Sequence, residues 1–379
     1  MSKLHIYIYI YILLLFPTCH FNAFAKTNND KYVEILKQIP KTDLHAHFTA
    51  TVPEKMLPTK PQRDEFKNLN DFTSYYDEFY KDLQYSREFI ESATYEICME
   101  YARHNVHYVE IRKKYPSSRS RLSVAKNIDA IYKGFQKAKN ELNKKGYFFD
   151  MKLIVAFLKR EHTEEQEKVI DDIENILKKS KYRNFIVGID FLGNECGYNF
   201  DNIFINKAIY VAKKNGLKFT FHAGEDNSGK CDSLHYMRWA VFNWADRIGH
   251  GIKVLDDAVV LEQVKNNKIG IELCPTSNVK IKNVDSYKSL PVKQMLDKNV
   301  LVSINTDDAI ILKTDITNEF VQLYKNGVIT KWDDIKKLVI NGLKMGFMDE
   351  EEREQLVEMY KQEFKGIEQK YYKEIKTFF

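Results

Sequence analysis

Hydrophobic positions along this chain follow two spacings that take turns. Short runs rich in β-branched residues recur at 42–48, 106–112, 151–157, 185–191, 217–223, 247–251, 268–274 and 300–306, and they read as eight strands. Between them lie longer helical patterns. In 87–105, Phe89, Ile90, Ala93, Ile97 and Tyr101 recur at helical spacing, and 203–215 and 256–266 fit the same scheme. The alternation predicts βα units on a parallel sheet. The connection from 49 to 105 is long enough for extra helices, and 349–379 reads as one or two helices closing the outside.

Eight such units could make an open doubly wound sheet, but that class carries a Gly-rich phosphate turn after its first strand. Here the first strand ends in histidines. The pattern therefore predicts an α/β fold, a TIM-type (β/α)8 barrel with extra helices after strand one and at the C-terminus. Its chemistry belongs at the carboxyl ends of the strands.

Composition changes this picture little. A chain of 379 residues, 44% hydrophobic and 13% aromatic, can bury a sizeable core and is not of a disordered type. The 58 basic and 53 acidic residues leave +5, with lysines spread over many segments, so no basic stripe points to a nucleic-acid partner.

The N-terminus adds more. Lys3, an apolar run from Ile6 to Phe16 and the small-x-small triplet Ala23-Phe24-Ala25 read as a cleavable signal over 1–25. That leaves 26–379 as a single barrel domain, secreted or periplasmic. The run falls short of the about 20 apolar residues of a membrane span, which argues against a permanent anchor. The competing reading is an ordinary strand with period-two character. A lipid anchor at Cys19 lacks the small residue expected before it.

After cleavage four cysteines remain, Cys98, Cys196, Cys231 and Cys274, too widely spaced for a disulfide-dependent mini-fold. Free buried thiols are the simplest reading. Cys196 and Cys231 follow strands four and five, so a bridge at one rim is the alternative, provided their Cα atoms approach within about 7 Å.

The stretch TDLHAHF at 42–48 places His45 and His47 two residues apart in a strand. Alternation sends both imidazoles to one face. Strand five ends in His222, strand six carries His250, and strand eight leads into Asp307 and Asp308. In a barrel these positions converge on one rim. His45, His47, His222 and Asp307 would then give zinc four ligands of the kinds it accepts.

Glu225 lies in the turn after His222, beside Gly224, within reach of the rim as a proton donor or acceptor. Its competing reading is a carboxylate stabilising a helix N-terminus. His250, between Gly249 and Gly251, has room to hydrogen-bond a metal-bound water. Asp307 and Asp308, being neighbours, point differently, one to the metal and one to whatever binds above it. A simple helix cap is the alternative for this pair.

Taken in order, TDLHAHF at 42–48, YVEIR at 108–112, GIDFLGNE at 188–195, FHAGED at 221–226, RIGHG at 247–251, ELCPTSN at 272–278 and SINTDD at 303–308 resemble the adenosine deaminase family. That family is a branch of the metal-dependent amidohydrolases. The resemblance covers most of the mature chain. It implies one zinc ion per chain, held by His45, His47, His222 and Asp307 and activating water for attack on C6 of a purine.

It further implies that His250 orients or deprotonates the water and that Glu225 protonates ring nitrogen N1. Asp308 and the backbone of Gly193 would hold other ring nitrogens. The implied reaction turns adenosine or 2′-deoxyadenosine into inosine or 2′-deoxyinosine plus ammonia, with a small-molecule purine nucleoside as the partner. Adenine or another aminopurine is the alternative substrate, and a secreted purine-binding or signalling protein without turnover is the alternative class.

The chain departs from the family at the sugar. Adenosine-specific members carry an Asp-Gly that reaches the ribose 5′-hydroxyl, whereas this chain has Thr49-Ala50. A threonine hydroxyl accepts a hydrogen bond without bringing a charge. Ala309 stands in place of a family proline, and Leu290 in place of a frequent histidine.

Overall fold

Eight strands form on the apolar runs: β1 (Lys41–His47), β2 (Val106–Lys114), β3 (Asp150–Leu158), β4 (Ile186–Leu192), β5 (Lys218–Ala223), β6 (Arg247–His250), β7 (Gly270–Leu273) and β8 (Val302–Ile304). The computed structural model describes residues 28–117, 119–159, 163–195, 203–227, 229 and 232–379. The leader over 1–25, Cys19 and the Cys196–Cys231 pair lie outside the described residues.

The strands pair in sequence order in one sheet. All seven pairings are parallel. The two ends of the sheet meet just past β8. Asp307 donates its N–H to the His45 carbonyl at 2.7 Å and accepts from the His47 N–H at 3.1 Å. This bridge closes the sheet into a (β/α)8 barrel and sets the carboxyl end of β8 against β1.

The two faces of β2 show what each layer is made of. Val109 and Ile111 point outward and are fully buried. The outer layer is helical, and the helix Arg87–Arg103 buries Ile90, Ala93, Thr94, Ile97, Cys98 and Tyr101, the i, i+3, i+4 stripe of an amphipathic helix. Ser86 caps that helix by accepting from the Phe89 N–H.

The alternate residues, Glu110 and Arg112, point inward and join Asp190, Thr220, Arg247 and Glu272, none more than 1% exposed. The barrel interior is thus an ionic lattice. Arg112 reaches Asp190 at 3.0 Å and Glu272 at 2.7 Å. Arg247 reaches Glu272 at 2.6 Å and also pairs with Glu110.

The extra helices fall where the spacing places them. The long first connection holds Phe48–Thr51, Leu69–Phe79 and Arg87–Arg103, and the C-terminus holds Glu350–Lys370 and Tyr372–Phe378. Among the described residues, no helix is long and apolar enough to cross a membrane.

Candidate metal and proton-transfer site

At the carboxyl ends of β1, β5 and β8, four side chains aim donor atoms at one point. His45 Nε2 lies 3.1 Å from His222 Nε2, and His47 Nε2 lies 3.2 Å from the same atom. Asp307 Oδ1 is 3.3 Å from His45 Nε2 and 3.1 Å from His47 Nε2. All four donor atoms fall within 4.8 Å of one another.

Three imidazole nitrogens and a carboxylate crowded this closely make sense as ligands of one cation, because little else offsets their mutual repulsion. The opposite ring edges support that reading. His45 Nδ1 meets Glu272 at 2.7 Å, and His222 Nδ1 meets Asp190 at 3.1 Å. Each carboxylate holds the proton on Nδ1 and leaves the Nε2 lone pair facing the centre. Burial, followed by the neighbouring His45, pushes the His222 pKa well below its usual value, so the ring is neutral as a ligand must be.

An overlapping quartet of His45, His250, Cys274 and Asp307 is also close enough to hold an ion. Its sulfur fits less well. Burial, then Asp307, pushes the Cys274 thiol well up, and the thiol faces the Glu272 carbonyl at 3.5 Å. Cys98 and Cys274 are both buried and free.

Asp307 and His250 hold positive φ angles, 62° and 61°. Non-glycine residues rarely adopt this conformation, and it concentrates where the surroundings dictate side-chain direction. Burial pushes the Asp307 carboxyl up, but hydrogen bonds from His45 and His47 outweigh it and hold the pKa well below the usual range.

Asp308 behaves oppositely. Burial and then Asp307 push its pKa well above the ordinary value, and its Oδ1 is buried without a hydrogen-bond partner. The two neighbours do point differently.

Glu225 Oε1 stands 3.6 Å from His250 Nε2, which is 3.9 Å from Asp307 Oδ2. Burial, then Asp307 and Glu195, raises the Glu225 pKa well above the normal carboxyl value. Burial drives His250 down to about 3. The pair therefore consists of a carboxylic acid, the reverse of a solvated glutamate at pH 7, and an imidazole kept neutral well below pH 7.

Gly224, at φ 65°, makes the turn that carries Glu225 inward. The glycine before His250 does something other than expected. A Cβ on Gly249 would lie 2.7 Å from His45 Cε1, so its absence makes room for His45 rather than for His250.

Several contributors had no role assigned from sequence. Glu195 accepts from the Glu225 N–H at 3.0 Å. Lys159 donates to the Gly193 carbonyl at 2.9 Å and the His222 carbonyl at 2.5 Å, tying two rim loops together. Asp43 accepts from the His45 N–H at 3.2 Å, and burial pushes its pKa up to about 6. Thr49, the residue expected at the sugar, lies in the short helix Phe48–Thr51 and accepts a 2.6 Å bond from the Tyr85 hydroxyl. Asp190, Glu195 and Glu272 all lie inside motifs noted above, where their types gave the only signal.

Comparison with known proteins gives one family. The family model described as adenosine deaminase matches residues 40–362. An adenosine deaminase of Clostridium kluyveri is 29% identical over 347 residues, covering 86% of this chain and 95% of that protein. An N6-methyl-AMP deaminase structure from Arabidopsis thaliana has TM-score 0.72 at 20% identity, covering 87% of this chain and 98% of its own. An adenine deaminase from Arthrobacter aurescens has TM-score 0.70 at 21% identity, covering 86% and 99%. An amidohydrolase from Burkholderia ambifaria, solved with bound Zn, has TM-score 0.71 at 18% identity, covering 92% and 96%. At these identities the three structures show a shared fold.

Proposed function

Because the chain belongs to the adenosine deaminase family, a group of hydrolases acting on purine amines, we propose that it deaminates adenosine or 2′-deoxyadenosine at C6 with zinc as cofactor. The observation that carries this reading is the four-donor cluster with Glu225 and His250 beside it. His45, His47, His222 and Asp307 would hold the ion. When bound, zinc supplies Lewis acidity that lets water ionise near pH 7.

The chain's own groups handle the protons. His250, neutral and facing Glu225 and Asp307, takes a proton from the attacking water. Glu225, kept protonated by burial, gives its proton to N1 as the C6–oxygen bond forms, which relieves negative charge on the ring. Asp308 offers its unpartnered oxygen to another ring nitrogen, and the Gly193 backbone, fixed by Lys159, to a third. As the C6–nitrogen bond breaks, His250 returns its proton to the departing amine and the C6 hydroxyl proton passes to Glu225, which leaves a 6-oxo group and restores both residues. Water and the aminopurine become the oxopurine and ammonia.

The test is loss of adenosine absorbance with release of inosine by zinc-loaded protein. Glu225→Gln is expected to lower kcat by about 10²–10⁴ while leaving the fold intact. No turnover of adenosine, deoxyadenosine or adenine by loaded enzyme sinks the proposal, and an effect surviving Glu225→Gln favours a binding protein. Adenine or another aminopurine is the second reading, favoured by the neutral Thr49-Ala50 at the sugar end. Export rests on residues 1–25 alone, and the N-terminal mass of secreted protein checks it.

A further inference from the structure

The extra helix Leu69–Phe79, part of the long connection after β1, brings two phenols to the outer side of the site. Tyr76 lies in its last turn and Tyr80 at its C-terminal cap, so the i, i+4 spacing sets both on one face, with ring centres 4.9 Å apart. The Tyr76 hydroxyl meets the Thr49 hydroxyl, and burial, followed by the nearby Asp308 carboxylate, pushes its pKa well above the ordinary value. Tyr76 therefore borders both Thr49, expected at the sugar, and Asp308, which faces a ring nitrogen.

Tyr80 is fixed at every point but one. Its carbonyl accepts from Arg119 Nε at 2.9 Å, and its ring packs edge-on against Phe79 at 4.7 Å. Tyr80 is 1% exposed, yet among the described residues its hydroxyl has no hydrogen-bond partner. That hydroxyl lies within the field of Tyr76 and Asp308, which add to burial in raising its pKa. Asp308 Oδ1 is likewise buried and unpartnered. The two oxygens are near enough to influence each other and do not bond each other. A buried hydroxyl without a partner is costly, and a polar ligand group between these two would serve both.

The shape of a purine says which group that is. C6 and N9 lie at opposite ends of the fused rings, so a base with C6 at the metal cluster and a ring nitrogen on Asp308 carries its sugar outward, to the side where Thr49, Tyr76 and Tyr80 meet. We propose that Tyr76 and Tyr80 are specificity-determining residues that hydrogen-bond the ribose hydroxyls of the substrate, so that the site prefers a nucleoside over the free base. A phenol both donates and accepts, which suits a sugar hydroxyl and needs no charge. Thr49, held by the Tyr85 hydroxyl at 2.6 Å, then anchors Tyr76 at the sugar end. The proposal rests on the C6-deaminase reading for the orientation of the substrate.

The experiment compares kcat/KM for adenosine, adenine and the 2′-, 3′- and 5′-deoxyadenosines in wild type, Tyr76→Phe and Tyr80→Phe. Wild type is expected to favour adenosine over adenine and over at least one of the deoxyadenosines. Tyr80→Phe should lower the value for adenosine about 3- to 10-fold and leave adenine and the discriminated deoxyadenosine unchanged, and Tyr76→Phe should act in the same sense. Merely structural tyrosines would lower every substrate together and leave the ratios unchanged, which overturns the proposal. So does a wild type that turns over adenine as well as adenosine.

Equilibrium binding of adenosine against adenine, without turnover, supplies the second readout, and adenine binding reports an intact pocket in each variant. If no compound is deaminated, the catalytic reading fails, while tighter binding of adenosine that is lost in Tyr80→Phe still supports the sugar contact. A binding preference for adenosine that survives in both variants would place the sugar elsewhere and overturn it.

Discussion

Arg112 and Lys113 are neighbours on β2, both nearly inaccessible, and their surroundings differ in kind. Arg112 faces the barrel interior and is matched by Asp190 and Glu272, while its second nitrogen also reaches the Leu44 carbonyl at 2.8 Å. Lys113 faces the helix layer and meets only aromatic rings. Every oxygen that Arg112 binds belongs to the protein and is in place before any substrate arrives. The comparison teaches that burial alone does not define a charge's task. A matched buried ion is held by carboxylates, and an unmatched one only by the faces of rings.

The largest effect should come from breaking the matched side. Arg112→Met strands two buried carboxylates and is expected to cost about 3–5 kcal/mol. Urea unfolding of chelator-treated protein checks this, and a loss below about 1 kcal/mol would erase the distinction between the two residues.

A smaller effect belongs to Glu272→Gln. It keeps the shape at His45 Nδ1 but removes the charge that holds its proton, so metal affinity should fall about 10- to 100-fold. Competition with a chromogenic chelator measures it, with circular dichroism confirming the fold.

The smallest change has the opposite sign. Lys113→Met removes a charge that no acid offsets and should stabilise the protein by about 1 kcal/mol below pH 7. Burial lowers Lys113 to about 7 in the fold, while an unfolded lysine titrates near about 10.4. Between those values the unfolded chain binds more protons, so the wild type gains stability as pH rises through that window. The advantage of Lys113→Met should therefore be greatest at pH 6 and fade toward pH 10. Thermal melts across this range would show it, and a pH-independent difference would refute it.

Much of the site was legible because it was local. The His45-x-His47 spacing, the His222-to-Glu225 turn and the Asp307-Asp308 pair each lie within one segment, where strand alternation and turn chemistry fix directions. The supporting carboxylates were not legible as such. Glu272 meets His45 across 227 residues, and Asp190 meets His222 across 32, so neither partnership leaves a local spacing. Gly249 misled for the same reason. The side chain it makes room for, His45, lies on a strand far away in sequence.

The amino-acid order by itself determined the strands, the helices, the barrel they build and the kinds of donor at its rim, because these follow from spacing and side-chain chemistry. Tertiary structure alone decided which buried charges are matched. Barrel closure brings Asp307 beside His45, and packing sends Arg112 to carboxylates and Lys113 to rings. A charge's partners are set by distances in space, and those exist only once the chain has folded.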